Sequence, residues 1–479
     1  MDQAAELLPL DKSLLDHFVA IVGDAHALRA PADIAPYVAE QRGLYPGLSS
    51  LVLRPGSVDE VSRILRLATE TGTPIVPQGG NTGLVGGGIP DRSGREIVLS
   101  LSRLNRIREI DPASNTITVE AGVVLQAVQA AADAADRLFP LSLASQGSCQ
   151  IGGNLSSNAG GTGVLAYGNT RELCLGVEVV LPTGEVLDDL RKLKKDNTGY
   201  DLKNLFVGAE GTLGVITAAV MRLYPKPRGR EVAFVGLDSP KAALDLFGHA
   251  LDRAGSGLTA FELIARRPLE FALAYMPNAI RPLADDWPWT VLVEVSSGRS
   301  AGDARDTMEE ILTSALETGL VGDATIAGSI AQGDAFWALR ESISDAQRAE
   351  GASIKHDISV PIAAIPEFIA RAELAVASVS PDARVVCFGH MGDGNLHYNV
   401  SQPVGGDPKA FLGLYRAMNK AVHDVVRDLD GSISAEHGIG QLKRDELAAT
   451  APPVALDLMK RIKAAFDPAG IMNPGKVLT

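Results

Sequence analysis

The spacing of apolar and polar residues changes repeatedly along the first half of the chain, and each spacing predicts a different element. VDEVSRILRLATET (58–71) has apolar residues at helical spacing between Ser57, a good N-cap, and Gly72, which predicts a helix with those ends. REIVLSLSRL, NRIREID and NTITVEAG predict strands, and VVLQAVQAAADAADRL predicts a second helix. LGVEVVLPTGEVL predicts a hairpin that turns at residues 182–184.

Beyond RLYPKPRGR (222–230), the pattern becomes that of long helices separated by strands. SPKAALDLFGHALDRAG, SAGDARDTMEEILTSALETG and IPEFIARAELAVASV predict helices, whereas TVLVEVSS, RVVCFGH and HYNVSQP predict strands. This order is typical of helices packed on an antiparallel sheet. Because 479 residues exceed what one core supports, we expect an N-terminal helical arm (1–44), two domains (45–225 and 226–425) and a C-terminal segment (426–479).

The composition argues against several kinds of binding partner, cellular location and covalent cross-link. A net charge of −14 argues against nucleic acid as the main partner, and it requires a local Arg or Lys cluster for any anionic substrate. No apolar run approaches the roughly 18 residues of a membrane span. The N-terminus carries early acids and no basic region before an apolar segment, which predicts a cytoplasmic protein. Three cysteines without CxxC spacing make a disulfide framework or a cysteine zinc module improbable.

Glycine is concentrated in PQGGNTGLVGGGIPD (77–91) and GSCQIGGNLSSNAGGTGVLAYG (147–168). Glycine lets consecutive backbone N–H groups converge on phosphate oxygens, so the two loops predict a diphosphate cofactor, with tight turns in a β-rich domain as the alternative. Gly83, Gly86 and Gly88 resemble a Rossmann fingerprint, but that motif must open a helix. Pro90 and Asp91 follow at once, which argues against it.

A second group of candidates surrounds GHMGDGNLHYNV (389–400), where His390 and His397 flank a Gly-Asp-Gly turn. In a hairpin, for which Gly392 and Gly394 would permit the reversal, the two imidazoles would come within reach of one metal ion. A carboxylate commonly completes such a site, and ISAEHGIGQLK (433–443) offers Glu436 next to a further histidine. A structural or surface role for the histidines stays open at this point.

These motifs resemble a known family. PQGGNTG, GSCQIGGN, NAGG, YG and GAEGTLGVIT are similar to the FAD-binding domain of the vanillyl-alcohol oxidase and p-cresol methylhydroxylase (PCMH) superfamily, over about residues 45–225. FWALRESISDAQRAEGASIKHDISVP (336–361), GHMGDGNLHYN, AEHGIG and FDPAGIMNPGK resemble FAD-linked D-2-hydroxyacid dehydrogenases, most closely the D-2-hydroxyglutarate dehydrogenases.

The resemblance implies an α+β fold: a two-subdomain FAD-binding domain of the PCMH type (45–225), an α+β substrate-binding domain with an antiparallel sheet (226–425) and a helical C-terminal segment that completes the active site.

Some members of the superfamily attach FAD covalently through a His or Cys in the two glycine loops. The first loop has no His, so we expect non-covalent FAD. The residues implied for FAD are Pro77, Gln78, Gly79, Gly80, Asn81, Thr82, Gly83, Gly147, Ser148, Gly152, Gly153, Asn154, Asn158, Gly160, Gly161, Tyr167, Gly168, Gly211, Gly214, Ile216 and Asn473.

The resemblance also implies a reaction, the oxidation of D-2-hydroxyglutarate, and of D-malate as a second substrate, by hydride transfer to flavin N5. His437 would be the catalytic base, and zinc is the expected divalent metal. The metal ligands carried over are His390, His397 and Glu436, and the substrate-binding residues are Arg340, Ser344, Lys355 and Asn399.

Several alternatives follow from the same residues. They are a D-lactate or glycolate dehydrogenase of the same family, a flavin electron-transfer subunit without a substrate site, and a zinc hydrolase. The resemblance implies an electron-transfer flavoprotein or a quinone as electron acceptor, and a homodimer is one option for the assembly. The basic stretch LRKLKKDNTGYDLK (190–203) is either a docking surface or a solvated loop.

Overall fold

The structure is a computed structural model that describes residues 10–479, so residues 1–9 of the predicted N-terminal arm lie outside it. The described chain forms two compact units. The first contains residues 10–160, 169–225 and 436–479, and the second contains residues 161–168 and 226–435. Helices are mixed with antiparallel sheets, which confirms the predicted α+β class.

The first unit contains a four-stranded sheet in which three strands are parallel and Ala27–Leu28 is an antiparallel edge. The predicted helix is confirmed as Val58–Thr71: the Ser57 hydroxyl accepts a hydrogen bond from the Glu60 N–H, and Gly72 ends the helix in the left-handed region. Its apolar stripe is buried. The other strands of this sheet, in spatial order, are Val52–Leu53, Ile97–Ser100 and Ile75–Gln78.

A five-stranded antiparallel sheet forms the second layer of this unit, and it includes the predicted hairpin. The predicted second helix is shorter than its apolar pattern, Leu125–Ala134, because Arg137–Leu138 leaves it to pair with Tyr224–Pro225. The strands of the five-stranded sheet, in spatial order, are Ile107–Asp111, Thr116–Glu120, Val215–Arg222, Cys174–Val180 and Val186–Asp189.

The remaining helices of the first unit are short, apart from the first and last. None of the helices in residues 10–479 combines the length and apolar character that a membrane span requires. These helices are Lys12–Val22, Pro31–Ile34, Ile151–Ser156, Thr170–Leu173, Lys203–Phe206, Arg444–Thr450 and Pro453–Phe466, with 3-10 turns at Asp24–His26 and Ala35–Tyr37.

The second unit is built on an antiparallel sheet that carries an apolar core on each face. Alternate residues of one strand serve different cores: Ala233 and Val235 belong to one, and Val232 and Phe234 to the other. The strands, in spatial order, are Asp323–Ile326, Gly229–Leu237, Trp289–Ser297, Leu258–Ala265, Arg384–His390, Asn395–Ser401 and Ser353–Ile354, with Asp357–Ser359 also paired to Asn395–Ser401.

Helices cover both faces of this sheet, and the three long helices predicted from the sequence are confirmed. The helices are Val164–Tyr167, Pro240–Ala254, Arg266–Tyr275, Ala301–Glu317, Ile330–Glu341, Ile343–Ala349, Ile365–Val379, Pro408–Leu412 and Tyr415–Asp428, with 3-10 turns at Gly255–Gly257, Ile362–Ala364 and Met391–Asp393.

The hairpin that carries the two histidines is confirmed, and its strands pair in register from Arg384↔Ser401 to His390↔Asn395. Gly394 allows the reversal with φ +87°, and a Cβ there would lie 2.4 Å from the Val360 carbonyl oxygen. Gly392 contributes differently from our expectation. Its φ is not positive, but a Cβ would lie 2.8 Å from the Leu165 side chain, so close packing requires glycine.

Candidate active site

The two glycine loops of the first unit form one cleft, which we call the glycine cleft. It is lined by residues 77–83, 85–89, 150, 152–154, 156–157, 210–211 and 214–216, together with Leu101 and His437. It contains about 950 Å³ of empty space, part of which is open to solvent. The first loop reaches the cleft because it directly follows the buried strand Ile75–Gln78.

The walls of the glycine cleft suit a diphosphate cofactor. A Cβ at Gly83 or Gly153 would meet no protein atom within 4 Å, so a side chain there would project into space that a cofactor can use. Buried polar atoms on the wall, Gln150 Oε1 and Asn154 Nδ2, have no hydrogen-bond partner among residues 10–479. Unsatisfied buried groups are costly, which favours a polar ligand at this position. The residues present therefore fit FAD.

Most residues predicted to contact FAD line this cleft. Two that do not are Asn158, whose Oδ1 accepts from the Arg171 N–H, and Asn473, whose Nδ2 donates to the Gly87 and Glu210 carbonyl oxygens. The predicted residues on the wall are Pro77, Gln78, Gly79, Gly80, Asn81, Thr82, Gly83, Gly152, Gly153, Asn154, Gly211, Gly214 and Ile216. Those elsewhere in this unit are Gly147, Ser148 and Gly160, and those in the second unit are Gly161, Tyr167 and Gly168.

His437 reaches the glycine cleft because a half-buried carboxylate, that of Glu210, holds the loop that carries His437. Glu210 Oε1 accepts from the Ile439 N–H at 2.7 Å, and Oε2 accepts from the Gly440 N–H at 2.8 Å. Gln441 strengthens the attachment by donating to the carbonyl oxygens of Gly86 and Ile89. Burial raises the pKa of the Glu210 carboxyl, although the two backbone donors act in the opposite direction. Sequence reasoning missed this role of Glu210, which lies within the quoted GAEGTLGVIT motif.

The second unit brings His390 and His397 together on one face of its sheet, with ring centroids 5.6 Å apart. Strand register places Glu262 directly opposite His390, and the His390 Nδ1 lies 2.7 Å from Glu262 Oε1. An ionised carboxylate can only accept, so Nδ1 carries the proton. In the neutral ring, Nε2 is then the nitrogen with a lone pair for a metal. A carboxylate behind a histidine ligand is a common arrangement at metal sites.

Arg340 shares the same carboxylate. Its Nε donates to Glu262 Oε2 at 2.9 Å, and its guanidinium carbon lies 4.8 Å from the centroid of the Phe388 ring. Nη2 lies 2.6 Å from Oε2, but the geometry is not that of a hydrogen bond. Burial opposes the ionisation of Glu262, but its contacts with His390 and with the Arg340 guanidinium outweigh the burial and lower the pKa of its carboxyl group.

Asp357 is a further acidic residue beside the histidines. It lies directly opposite His397 in the strand register, and a carboxylate oxygen and a ring nitrogen of this pair lie within 4.8 Å of each other. Asn395 Nδ2 donates to Asp357 Oδ1 at 3.1 Å. The backbone N–H of Ala435, the last residue of this unit, donates to the Asp357 carbonyl oxygen at 3.4 Å.

Glu436 follows Ala435 in the chain and opens the last segment of the first unit. Glu436 and His437 each offer a ligand atom, and the two atoms lie within 4.8 Å of each other. The predicted metal ligands are therefore distributed over two units, with two histidines in one and the carboxylate in the other.

The other predicted substrate residues differ in their surroundings. Ser344 is exposed on the helix Ile343–Ala349, and Lys355 is half-buried. Asn399 is buried: its Nδ2 donates to Gln347 Oε1 at 2.9 Å, and its Oδ1 accepts from the His356 N–H at 3.1 Å. Their contact with substrate stays a prediction.

Sequence reasoning also missed Glu262 and Asp357. A signal was present for Glu262, because it is the one charged residue in the strand LTAFELIA (258–265), and a charge in a buried strand needs a partner. Asp357 lies within the quoted IKHDISVP motif, where no feature of the sequence alone separates it from an ordinary strand residue.

Comparison with known proteins agrees with this geometry. Residues 49–189 match the family described as FAD binding domain, and residues 226–477 match FAD linked oxidases, C-terminal domain. The solved structure of p-cresol methylhydroxylase with substrate bound has a TM-score of 0.77, with 16% identity over 97% of this chain and 96% of that chain, and thus shares the fold. The two family matches define the class of protein as an FAD-dependent oxidoreductase, and its fold is of the PCMH type.

Relatives of known activity narrow this class. The D-2-hydroxyglutarate dehydrogenase of Xanthomonas citri pv. viticola is 38% identical over 93% of this chain and 93% of its own length. The mitochondrial D-2-hydroxyglutarate dehydrogenase of Arabidopsis thaliana is 36% identical over 98% of this chain and 82% of its own length. The chain belongs to the family of FAD-linked D-2-hydroxyacid dehydrogenases, as its motifs predicted, and is an FAD-dependent dehydrogenase.

Proposed function

We propose that this dehydrogenase oxidises D-2-hydroxyglutarate to the 2-oxoacid, with D-malate as a slower substrate. One observation carries the proposal: His437, the candidate base, lies on the wall of the same cleft that the glycine loops form. A base in that position can take a proton from a molecule that reacts beside the cofactor. The two relatives, whose names specify D-2-hydroxyglutarate, support the choice of substrate.

The reaction removes two electrons and two protons from a secondary alcohol beside a carboxylate. FAD, when bound, supplies the acceptor for the hydride at flavin N5. The chain itself must take the hydroxyl proton, and imidazole is the side chain that exchanges a proton most readily near neutral pH. We assign this step to the His437 imidazole. The absence of a histidine in residues 77–91, and the burial of Cys149 away from the cleft wall, support non-covalent attachment of FAD.

A divalent metal, which we propose to be zinc, would be held by His390, His397 and Glu436. The hydrogen bond from His390 Nδ1 to Glu262 supports this assignment, because it orients Nε2 as a ligand. For Glu436 the support is chain continuity, since Ala435 is hydrogen-bonded to the Asp357 backbone. Imidazole and carboxylate donors suit zinc. A metal at this position would lower the pKa of a bound hydroxyl group, which helps the base to take its proton.

We further propose that Arg340 binds the distal carboxylate of the substrate, with Ser344 and Lys355 nearby and Asn399 at the C1 carboxylate. In support, Arg340 is a buried cation whose one hydrogen bond within residues 10–479 uses Nε, and Nη2 is the atom beside Glu262, so Nη1 can donate to an anion. The contact by Asn399 would require its amide to exchange the hydrogen bond with Gln347. D-malate is one methylene shorter, and pockets discriminate one methylene by roughly 10- to 200-fold.

The electron acceptor is proposed to be an electron-transfer flavoprotein or a quinone. The basic stretch 190–203 gives little support to a docking role, because three of its five basic residues are in ion pairs: Arg191 with Asp189 and Asp196, Lys192 with Glu109, and Lys203 with Asp201. A cytoplasmic location remains part of the proposal, although the Arabidopsis relative is named as mitochondrial. Cell fractionation would decide between these compartments.

Anaerobic mixing of the purified protein with D- and L-2-hydroxyacids, followed by flavin absorbance, tests the proposal. We expect D-2-hydroxyglutarate to bleach the flavin and to exceed D-lactate in kcat/KM; the reverse order would favour the D-lactate dehydrogenase alternative. His437→Ala should slow bleaching by about 10²- to 10⁴-fold. His17→Ala, at an exposed position on the first helix, is the matched control. Bleaching of His437→Ala at the wild-type rate would remove His437 as the base.

Metal removal is a separate test of the same proposal. Dialysis against a chelator should abolish turnover by D-2-hydroxyglutarate without releasing FAD, because the proposed metal ligands and the glycine cleft are different groups of residues. Restoration by Zn²⁺ would complete the result. Full activity in protein shown to be metal-free would exclude the metal from the reaction.

A further inference from the structure

The buried carboxylate of Glu262 contacts both a proposed metal ligand and the proposed substrate arginine. We propose that Glu262 is a positioning residue that fixes the geometry of the metal site and of the anion site through its two oxygens, a role that rests on the proposed function. Glu262 would touch neither metal nor substrate. It would act through His390 and Arg340.

Strand register determines the first contact. Glu262 lies opposite His390 on the neighbouring strand, and directly opposed side chains of an antiparallel pair share one face within about 5 Å of each other. The Nδ1–Oε1 distance of 2.7 Å is that of a hydrogen bond. The helix Ile330–Glu341 supplies the second contact by presenting Arg340 to the same face, where Nε donates to Oε2.

Burial prevents water from replacing the hydrogen-bond partners of Glu262. The side chain of Glu262 is 1% exposed and that of Arg340 is 7% exposed, so water cannot replace either partner. With both oxygens used as acceptors, the carboxylate keeps the proton of His390 on Nδ1 and holds the Nε edge of Arg340. The remaining edge of the guanidinium is then the part that can bind a carboxylate of the substrate. A rotation of either side chain would cost this contact.

The substitution Glu262→Gln tests the proposal, because it replaces one of the two carboxylate oxygens by an NH2 group. An NH2 group donates and cannot accept a hydrogen bond, so the variant side chain could keep its contact with His390 or with Arg340 but not both in the same geometry. Metal-free protein would be titrated with Co²⁺ and followed by its visible absorption. We expect the Co²⁺ affinity to fall by about 10- to 100-fold, as for other residues behind a metal ligand. The KM for D-2-hydroxyglutarate should rise more than the KM for D-lactate, because lactate has no second carboxylate for Arg340 to bind.

Glu294→Gln is the matched control. Glu294 lies on the same face of the adjacent strand Trp289–Ser297, where it accepts from Trp337 Nε1 and Arg230 Nε. It is not hydrogen-bonded to His390 or Arg340 within the described residues, so its substitution should change neither the Co²⁺ affinity nor the ratio of the two KM values. Glu262→Gln with wild-type values for both measurements would overturn the positioning role, even if its melting temperature falls.

Two further measurements keep the test decisive. If Glu262→Gln does not fold, Glu262→Asp retains the charge but withdraws it by one methylene, and an unchanged Co²⁺ affinity in that variant would refute the role. A double-mutant cycle with His390→Ala should be non-additive for Co²⁺ affinity if Glu262 acts through His390, and additivity would refute it. Wild-type protein that binds no Co²⁺ or does not react with any 2-hydroxyacid would instead refute the proposed function.

Discussion

A single methyl group added at Gly153 should weaken the binding of FAD without destabilising the folded apoprotein. Gly153 lies in the helix Ile151–Ser156 and on the wall of the glycine cleft, and a Cβ there would meet no protein atom within 4 Å. Its neighbour Gly152 has the opposite environment, because a Cβ would lie 2.7 Å from the Ala121 Cβ. Both glycines lie on the cleft wall, but the methyl group of Gly153→Ala would enter open space, whereas that of Gly152→Ala would press against Ala121 in the protein core.

The expected magnitudes follow from these surroundings. A helical Gly→Ala substitution without steric conflict stabilises a protein by about 0.5–1 kcal/mol, so the apoprotein of Gly153→Ala should be slightly more stable than wild type. An extra methyl group against a closely fitted ligand costs about 1–3 kcal/mol, which corresponds to a roughly 5- to 150-fold weaker affinity for FAD. Gly152→Ala should lower the stability of the apoprotein by a similar 1–3 kcal/mol through overpacking against Ala121.

Urea unfolding of the deflavinated protein and titration with FAD, followed by flavin fluorescence, measure the two effects separately. Gly248→Ala is the matched control, since Gly248 is exposed in the long helix Pro240–Ala254 and its Cβ would also meet no atom within 4 Å. This variant should gain stability without any change in FAD affinity. Wild-type FAD affinity in Gly153→Ala would refute the assignment of the glycine cleft as the FAD site.

Three other predictions concern groups that the sequence did not single out. Glu210→Gln should speed amide exchange in loop 438–440 by about 10- to 150-fold, because a charge-assisted hydrogen bond contributes about 1.5–3 kcal/mol. Unchanged exchange would contradict the role of Glu210. Lys476→Met leaves the buried carboxylate of Glu96 without its 3.1 Å ion pair and should lower the free energy of unfolding by about 3–5 kcal/mol. A second substitution, Glu96→Gln, should largely restore that free energy. Equal losses in the single and double variants would refute the pairing. Burial raises the pKa of Cys174 from 9.0 to about 12, so the unfolded chain loses this proton first as the pH rises. The free energy of unfolding should therefore fall by about 1.4 kcal/mol per pH unit between those values, measured as the difference between wild type and Cys174→Ala. Parallel pH profiles of the two proteins would refute the shift.

Local signals in the sequence were sufficient for several elements. The helix Val58–Thr71 was predicted with both ends, because an N-cap serine and a left-handed glycine act on the backbone within a few residues. The hairpin 384–401 was predicted from two strand segments and the glycine turn between them. The length of the helix Leu125–Ala134 was overestimated, since pairing between Arg137–Leu138 and Tyr224–Pro225 competes with helix propensity and is not visible in either segment alone.

Some residues of the candidate site were likewise predicted from the sequence, and others were found only in the structure. Sequence motifs identified the glycine loops, the histidine pair and the Glu436–His437 dipeptide, because these depend on residue type and short spacing. The contact between Glu262 and His390 spans 128 residues, and the contact between Glu210 and the Ile439 N–H spans 229. No periodicity within a segment contains that information, and both carboxylates were missed.

The sequence by itself therefore determined the fold class, the family, the cofactor and the chemical groups available to the site. Only the tertiary structure decided which strand lies beside which and which carboxylate accompanies which histidine. The physical reason is that strand register is set by burying both apolar cores of the sheet at once, so the neighbours of a residue depend on packing across the whole unit.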